Sequence, residues 1–523
     1  MNKLIGVGLA AAMLTGMTGL TTVPATAATP GESEPIVFGA CPEPLAKPYP
    51  ELTCAVVPVP LDYANPDGGT VNLMVSRRAS TDPDKRKGVL FVNPGGPGGS
   101  SSERAGRLSK ADAQGRTRLP QEVLDAYDII GMDPRGVGLS QPVSCVHPDF
   151  WQGPRPDPDD QANRDKIWND WQTFAQECGR KQGTRLKTLG TRNVARDMDR
   201  VLSLLGEKKL NYLGYSYGTY LGAVYATLFP DRVGRMILDS NMNPEPREFY
   251  RAATVAQVEP LQRRVDAWLA WTARYDDVFH LGDTRKKTRA AWDATLAAFR
   301  TPHGTVGADE LLGTVSGLMY DESGWQALAQ SVADFTLRQD DAGLVELAGS
   351  TPSVAQEQGI AAFSSVMCVD AAWPSERAAY ESDAARFPKS FQFAWYNIGN
   401  ATSCANWPAG HEERVLPTGK GLPKILMFNN VDDPATPYRG ALGMHRSLPT
   451  SVLVTALNAG RHGVFANPIA QRNTDAQRIG AAYLVDGVLP RRDIVIPGHK
   501  LPVPTADRVD VSTVPTPGLL TVE

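Results

Sequence analysis

The apolar positions of this chain fall into two textures. Up to about residue 239, short apolar runs alternate with Gly-rich loops and amphipathic stretches. Runs at 54–61 and 71–78 flank the turn-rich Asn65-Pro66-Asp67-Gly68-Gly69 and predict a hairpin at a sheet edge. The runs at 88–93 (GVLFVN), 127–132 (YDIIGM), 210–215 (LNYLGY) and 236–239 (MILD) are apolar or small almost throughout. That is the pattern of strands buried on both faces of a parallel sheet. Between them, 191–205 sets Val194, Met198, Val201, Leu202 and Leu205 on one helical face, and 217–229 reads as a second helix. From about 240 to 421 the strand rhythm stops. Helical patterns at 251–275, 285–299, 309–318 and 324–347 carry Trp268, Trp271, Trp292 and Trp325, mostly core residues with room for one or two at a cleft. The rhythm returns at 424–430 and 452–457, then a helix at about 468–484, and from Pro490 the chain is rich in Pro and Val. The prediction is an α/β fold: a mostly parallel central sheet flanked by helices, built from 29–240 and 422–489. A helical cap is inserted at 241–421, and 490–523 forms a tail.

Residues 1–28 stand apart. Lys3 precedes a run of apolar and small residues at 4–20, and Ala25-Thr26-Ala27 forms a small-residue cleavage site. This reads as a secretory leader. Glycines at 6, 8, 16 and 19 interrupt the run, no second apolar span follows, and no Cys sits at the cleavage site. The expectation is a secreted, extracellular protein without a membrane anchor. Six cysteines fit an oxidising compartment, and neighbours in sequence suggest Cys41–Cys54, Cys145–Cys178 and Cys368–Cys404. A net charge of −4 over 523 residues leaves no basic footprint for nucleic acid or anionic lipid. No Cys or His cluster suggests a metal, and no cofactor is expected.

The chemistry gathers at strand ends. Gly214-Tyr215-Ser216-Tyr217-Gly218 joins the run at 210–215 to the helix at 217–229. A sharp strand-to-helix turn leaves no room for side chains two residues either side of its central Ser and lifts that hydroxyl beside a helix N-terminus. Ser216 is therefore the candidate nucleophile; the bland alternative is an ordinary N-cap serine. A serine needs a base, and the base an orienting acid. His462, in Arg461-His462-Gly463 after the run at 452–457, is the candidate base. Asp433, after the run at 424–430 and before Thr436-Pro437, is the candidate acid, with Asp432 and Asp239 as rivals. Thr436 reads as a helix N-cap with Pro437 at N1. The loop Pro94-Gly95-Gly96-Pro97-Gly98-Gly99 after a buried strand can turn a backbone N–H outward, and a glycine near Gly96 with the Tyr217 amide would form an oxyanion hole. Asp133 and Arg135, in DPRGVGLS at 133–140, read as a structural pair fixing the neighbouring loop.

PGGPGG at 94–99, DPRGVGLS at 133–140, GYSYGT at 214–219, DPATP at 433–437, RHG at 461–463 and the opening from Cys41 to Tyr63 together resemble the secreted tripeptidyl aminopeptidases, prolyl aminopeptidase-like α/β-hydrolases. The likeness spans nearly all of the chain after the leader. In the prolyl aminopeptidase pattern the first loop begins with His, where this chain has Pro94; Gly96 matches the oxyanion donor, and the D-x-x-T-P spacing favours Asp433 over Asp432. The resemblance implies release of short peptides, typically three residues long, from a free N-terminus. It also implies a carboxylate that pairs with the substrate ammonium, for which Asp370, Glu322, Asp321 and Glu245 are candidates. Asp370, beside Cys368, is preferred. Peptides or unfolded chains with a free N-terminus are the expected partners. An esterase or lipase with the same triad, a single-residue prolyl aminopeptidase and a non-catalytic binding protein on the same scaffold are the alternatives.

Overall fold

The computed structural model describes residues 35–155, 157–158, 160–245, 249–349, 352–467, 472–505 and 507–514; the leader read at 1–28 lies outside them. The sheet contains β1 (Gly39–Ala40), β2 (Thr53–Asp62), β3 (Asn65–Arg78), β4 (Gly88–Asn93), β5 (Tyr127–Met132), β6 (Leu210–Tyr215), β7 (Val233–Asp239), β8 (Ile425–Asn430), β9 (Ser451–Leu457) and β10 (Ile494–Pro497). Their spatial order is β1-β2-β3-β5-β4-β6-β7-β8-β9-β10. The first three strands and the β3–β5 pairing are antiparallel; every pairing from β5 through β10 is parallel. β4, β5 and β8 are buried along their whole length, as their largely apolar runs predict. β10 comes from the Pro- and Val-rich tail, so part of 490–523 extends the sheet.

Each face of the sheet is covered by helices. Helices Thr191–Leu204 and Tyr217–Leu228 pack Val194, Met198, Val201, Leu202 and Val224 onto one face. Helices Ser101–Ser109, Gln121–Ala126 and Thr474–Asp486 pack Leu108, Leu124 and Leu484 onto the other.

Between β7 and β8 the chain is helical. Val255–Arg274, Arg285–Ala298, Ala308–Leu318 and Trp325–Arg338 surround an apolar centre in which Trp268, Trp271, Trp292 and Trp325 are all fully buried. None of these four lines a cleft. The helical pattern at 324–347 is two helices, because Gln339 takes a left-handed conformation (φ 56°) and Ala342–Ala348 starts afresh. Cap and sheet belong to one compact unit, residues 36–523. Three disulfides join Cys41 to Cys54, Cys145 to Cys178 and Cys368 to Cys404. Among the described residues, no helix is long and apolar enough to cross a membrane.

One expected pair is corrected. Arg135 does not pair with Asp133; it grips Asp197, 2.6 Å away and equally buried, and donates to the Pro60 and Leu61 carbonyls. Asp133 instead accepts from the Ser102 and Leu139 amides and the Ser100 hydroxyl. Each buried charge is thus met by fixed donors or by an opposite charge, as burial demands.

Candidate active site

β6 ends at Tyr215, and helix Tyr217–Leu228 begins two residues later. Ser216 makes the turn alone, with φ 56° and ψ −125°, a conformation non-glycine residues rarely adopt. Its neighbours show why the turn needs glycine. A Cβ on Gly214 would lie 2.5 Å from the Gly218 carbonyl oxygen, and one on Gly218 would lie 2.7 Å from Asn93 Oδ1. The Ser216 amide donates to the Asp239 carbonyl (3.0 Å), which fastens the turn to the end of β7.

The loop at 94–99 crosses directly over this turn. Gly95 has φ 94°, and a Cβ there would sit 2.8 Å from Ser216 Cβ and 3.1 Å from the Tyr217 nitrogen. Asn93 steers the loop: its Oδ1 accepts the Gly95 amide at 2.9 Å and its Nδ2 donates to Ser101 Oγ at 3.1 Å. Gly96 also has positive φ, 103°. Among the described residues, neither the Gly96 amide nor the Tyr217 amide donates a hydrogen bond.

His462 lies after β9, and Asp433 after β8. His462 Nδ1 is 2.9 Å from both Asp433 oxygens. The Asp433 carboxylate is fully buried and also accepts the Ala435 and Thr436 amides (2.9 and 2.8 Å) and the Thr436 hydroxyl (3.0 Å). Its neighbour Asp432 is half exposed, 3.8 Å from Arg263. Thr436 is not an N-cap: the helix is Tyr438–Ser447 with Pro437 at the cap position, and the Thr436 hydroxyl serves Asp433 instead. His462 Nε2 is buried and has no hydrogen-bond partner among the described residues. The imidazole thus has one nitrogen bound to a carboxylate and the other free for proton transfer.

One group absent from the sequence reading packs against His462. Tyr320, from the cap, accepts the His462 amide on its carbonyl (2.8 Å) and packs its ring edge-on at 5.2 Å. Asp239, the third possible acid, does not touch the imidazole through a hydrogen bond. Its carboxylate accepts the Val464 amide (3.0 Å) and the Phe465 amide (2.7 Å). Burial pushes its pKa up to about 7, and the Asp433 charge adds to that, against the two amides and His462.

The four carboxylates considered for an ammonium lie in different settings. Asp370 is buried, accepts the Thr191 amide at 2.7 Å on one oxygen and the Thr191 hydroxyl on the other, and burial raises its pKa to about 6. Glu322 is fully enclosed, 2.6 Å from Arg264 and 2.7 Å from His499. Burial alone would raise its pKa, but His499 and Arg264 outweigh it and bring it down to about 2. Glu245 is exposed. Asp321 is partly exposed, adjoins Tyr320, and reaches Arg461 only at 3.4 Å.

A family model for the alpha/beta hydrolase fold matches residues 88–468. The chain is 37% identical over 467 residues to the tripeptidyl aminopeptidase of Streptomyces lividans, a match spanning 87% of this chain and 85% of that protein. It is 29% identical over 482 residues to the serine protease Hip1 of Mycobacterium tuberculosis, spanning 84% of this chain and 86% of the relative. It is also 30% identical over 502 residues to carboxylesterase B of the same organism, spanning 91% and 93%.

Proposed function

The chain belongs to the α/β-hydrolase fold family, as a serine hydrolase whose relatives include the tripeptidyl aminopeptidases, and on that premise we propose that it is a secreted exopeptidase releasing tripeptides from free N-termini. The observation that carries the catalytic part of this reading is the state of His462: one nitrogen held between both oxygens of a buried Asp433, the other buried and unpaired among the described residues. The tripeptide product is taken from the Streptomyces relative, and Ser216 occupies the strained turn fastened to the end of β7.

In the proposed reaction His462 Nε2 removes the Ser216 hydroxyl proton as Ser216 Oγ attacks the peptide carbonyl. Asp433 keeps the Nδ1–H tautomer and stabilises the imidazolium. The oxyanion is held by the Gly96 and Tyr217 amides, which no group in the described residues competes for. Loss of one such donor typically costs about 3–4 kcal/mol. The imidazolium then protonates the leaving amine, and water, activated by His462, releases the tripeptide acid from Ser216.

An aminopeptidase must also read an ammonium. Asp370, the preferred candidate from the sequence, has both oxygens committed to Thr191 and little exposure. Asp321 suits the task better: it is partly exposed, its Oδ1 accepts from Ser323 but its Oδ2 has only a long contact to Arg461, and it follows the residue that touches His462. The likeness to carboxylesterase B favours a second reading, an esterase using the same triad.

Mass spectrometry of digests of one peptide, with its N-terminus free and N-acetylated, separates these readings. Tripeptide release from the free form alone is expected, together with loss of about five orders of magnitude in kcat for a folded Ser216→Ala variant. Equal cleavage of both forms removes the ammonium requirement. Ester hydrolysis with no peptide cleavage establishes the esterase, and activity surviving in Ser216→Ala overturns the serine assignment.

A further inference from the structure

The end of β7 bears on the nucleophile turn and the base loop together. The Asp239 backbone carbonyl accepts the Ser216 amide at 3.0 Å. The Asp239 carboxylate accepts the Val464 amide at 3.0 Å and the Phe465 amide at 2.7 Å. The next residue completes the grip: Ser240, at φ 59°, accepts the Gly463 amide on its hydroxyl at 2.7 Å. Three successive amides immediately after His462 are therefore captured by two successive side chains. Asp239 and Ser240 are both fully buried, so neither grip is shared with bulk water.

This arrangement is costly unless it does something. A carboxylate without solvent is destabilised, and here no cation is bonded to it. An amide or hydroxyl at this position could satisfy one N–H, but only a carboxylate offers two acceptor oxygens with no competing donor. The charged and titratable groups around it are His462 on the base loop, Asp433 on the loop after β8, and the Tyr215 hydroxyl on β6. Asp433 binds the imidazole directly; Asp239 binds the backbone that carries it.

We propose that Asp239 is a positioning residue: one residue that fixes the nucleophile turn through its carbonyl and the base loop through its carboxyl group, setting His462 against Ser216. This rests on the serine-hydrolase reading given above. Reach between a base and its nucleophile is sensitive to displacements of about 1 Å, which cost about a hundredfold in rate. The clamp thus acts on the chemical step and leaves the substrate-binding surfaces alone.

The test is Asp239→Asn in the full-length enzyme, assayed on a tripeptide linked to a chromogenic amine, with thermal melting to establish folding and Ser216→Ala as reference. The asparagine keeps one acceptor but turns an NH2 toward the loop amides. The expected result is a kcat lower by about 10- to 100-fold with KM within about twofold. The kcat/KM profile of the parent should also carry the ionisation of the Asp239 carboxyl, pushed up to about 7 by burial, and the asparagine variant should lose that inflection. A purely structural role would lower the melting temperature or the yield and leave the pH profile unchanged; that result, or a folded variant with the parent kcat, overturns the proposal. If Asp239→Asn does not fold, Ser240→Ala carries the test, since Ser240 holds the third amide of the same loop. A several-fold drop in kcat at unchanged KM supports the clamp, and the parent kcat overturns it. An active Ser216→Ala enzyme would instead refute the underlying serine mechanism, a distinguishable failure.

Discussion

Ser216 has the backbone of a glycine and the side chain of the proposed nucleophile, and the residues around it are small for that reason. Gly218 lies inside a helix, where alanine is normally better by about 1 kcal/mol. Here that preference is overruled, because an added Cβ would stand 2.7 Å from Asn93 Oδ1 and 3.0 Å from the Asn93 carbonyl oxygen. Asn93 cannot yield without releasing the Gly95 amide it holds. Gly218→Ala is therefore expected to destabilise the protein by about 1–3 kcal/mol and to lower kcat about tenfold or more by displacing the loop that carries Gly96. Thermal melting and steady-state kinetics on the same preparation check both halves; a variant with unchanged kcat would show that the loop is not set through Asn93. At this scale the sequence was informative, since each glycine is tied to Ser216 by a spacing of two residues. It ranked Asp433 above Asp432, and the buried hydrogen bonds to His462 fall on Asp433. It did not reveal what Asp239 holds, because nothing near residue 239 marks the amides at 463–465 as its partners.

Among the elements, strands were more legible than helices. β4, β5, β6 and β8 announce themselves by short, largely apolar runs. Helix Gln161–Gln182 did not, because it buries only Trp171, Phe174, Ala175 and Cys178 and is polar elsewhere. Helix Val354–Asp370 escaped for the opposite reason: small and apolar residues are buried around much of its circumference, so no stripe stands out. Its last residue, Asp370, accepts the first amide of helix Thr191–Leu204 from 179 positions away, capping a helix whose own N-cap residue, Gly190, has no side chain. That contact has a pH dependence. Burial places the folded-state pKa at about 6, above its ordinary value of 3.8. Folding thus takes up a proton between those values, so the stability this carboxyl contributes is complete below about pH 4 and is lost as pH rises through about 6. Asparagine keeps an acceptor for the Thr191 amide and does not titrate. Asp370→Asn is expected to gain stability on the parent by up to roughly 3 kcal/mol between about pH 4 and pH 8, with KM for peptides unchanged. Urea unfolding across that range reads the first and kinetics the second. A pH-independent difference would remove the titrating carboxyl, and a raised KM would return Asp370 to the ammonium site.

At the scale of the whole molecule, the cap is part of the site as well as a cover over it. The sequence marked it only as an interruption of the strand rhythm. Its links to the sheet domain are long-range and leave no local trace; Glu322 in the cap and His499 in the tail are 177 positions apart. The decisive link is Tyr320, whose carbonyl takes the His462 amide and whose ring stands edge-on to the imidazole. The backbone bond survives any substitution at 320, so side-chain variants isolate the ring. Burial and the Asp433 and Tyr396 charges raise the pKa of the Tyr320 hydroxyl, with no hydrogen bond among the causes, and Tyr320→Phe should keep kcat within about twofold. Tyr320→Ala removes the wall, admits water beside the base and frees the imidazole to rotate. Its kcat should fall about tenfold or more, with the folded fraction unchanged. Stopped assays of both variants against the parent, each normalised by active-site titration, decide the matter. If alanine behaves like phenylalanine, the cap contributes only the backbone contact, and the ring is packing. If alanine alone is slow, the catalytic histidine is held from two sides: from the sheet through Asp433 and Asp239, and from the cap through Tyr320. A chain trimmed of residues 241–421 would then lose the chemistry along with any selectivity for the N-terminus.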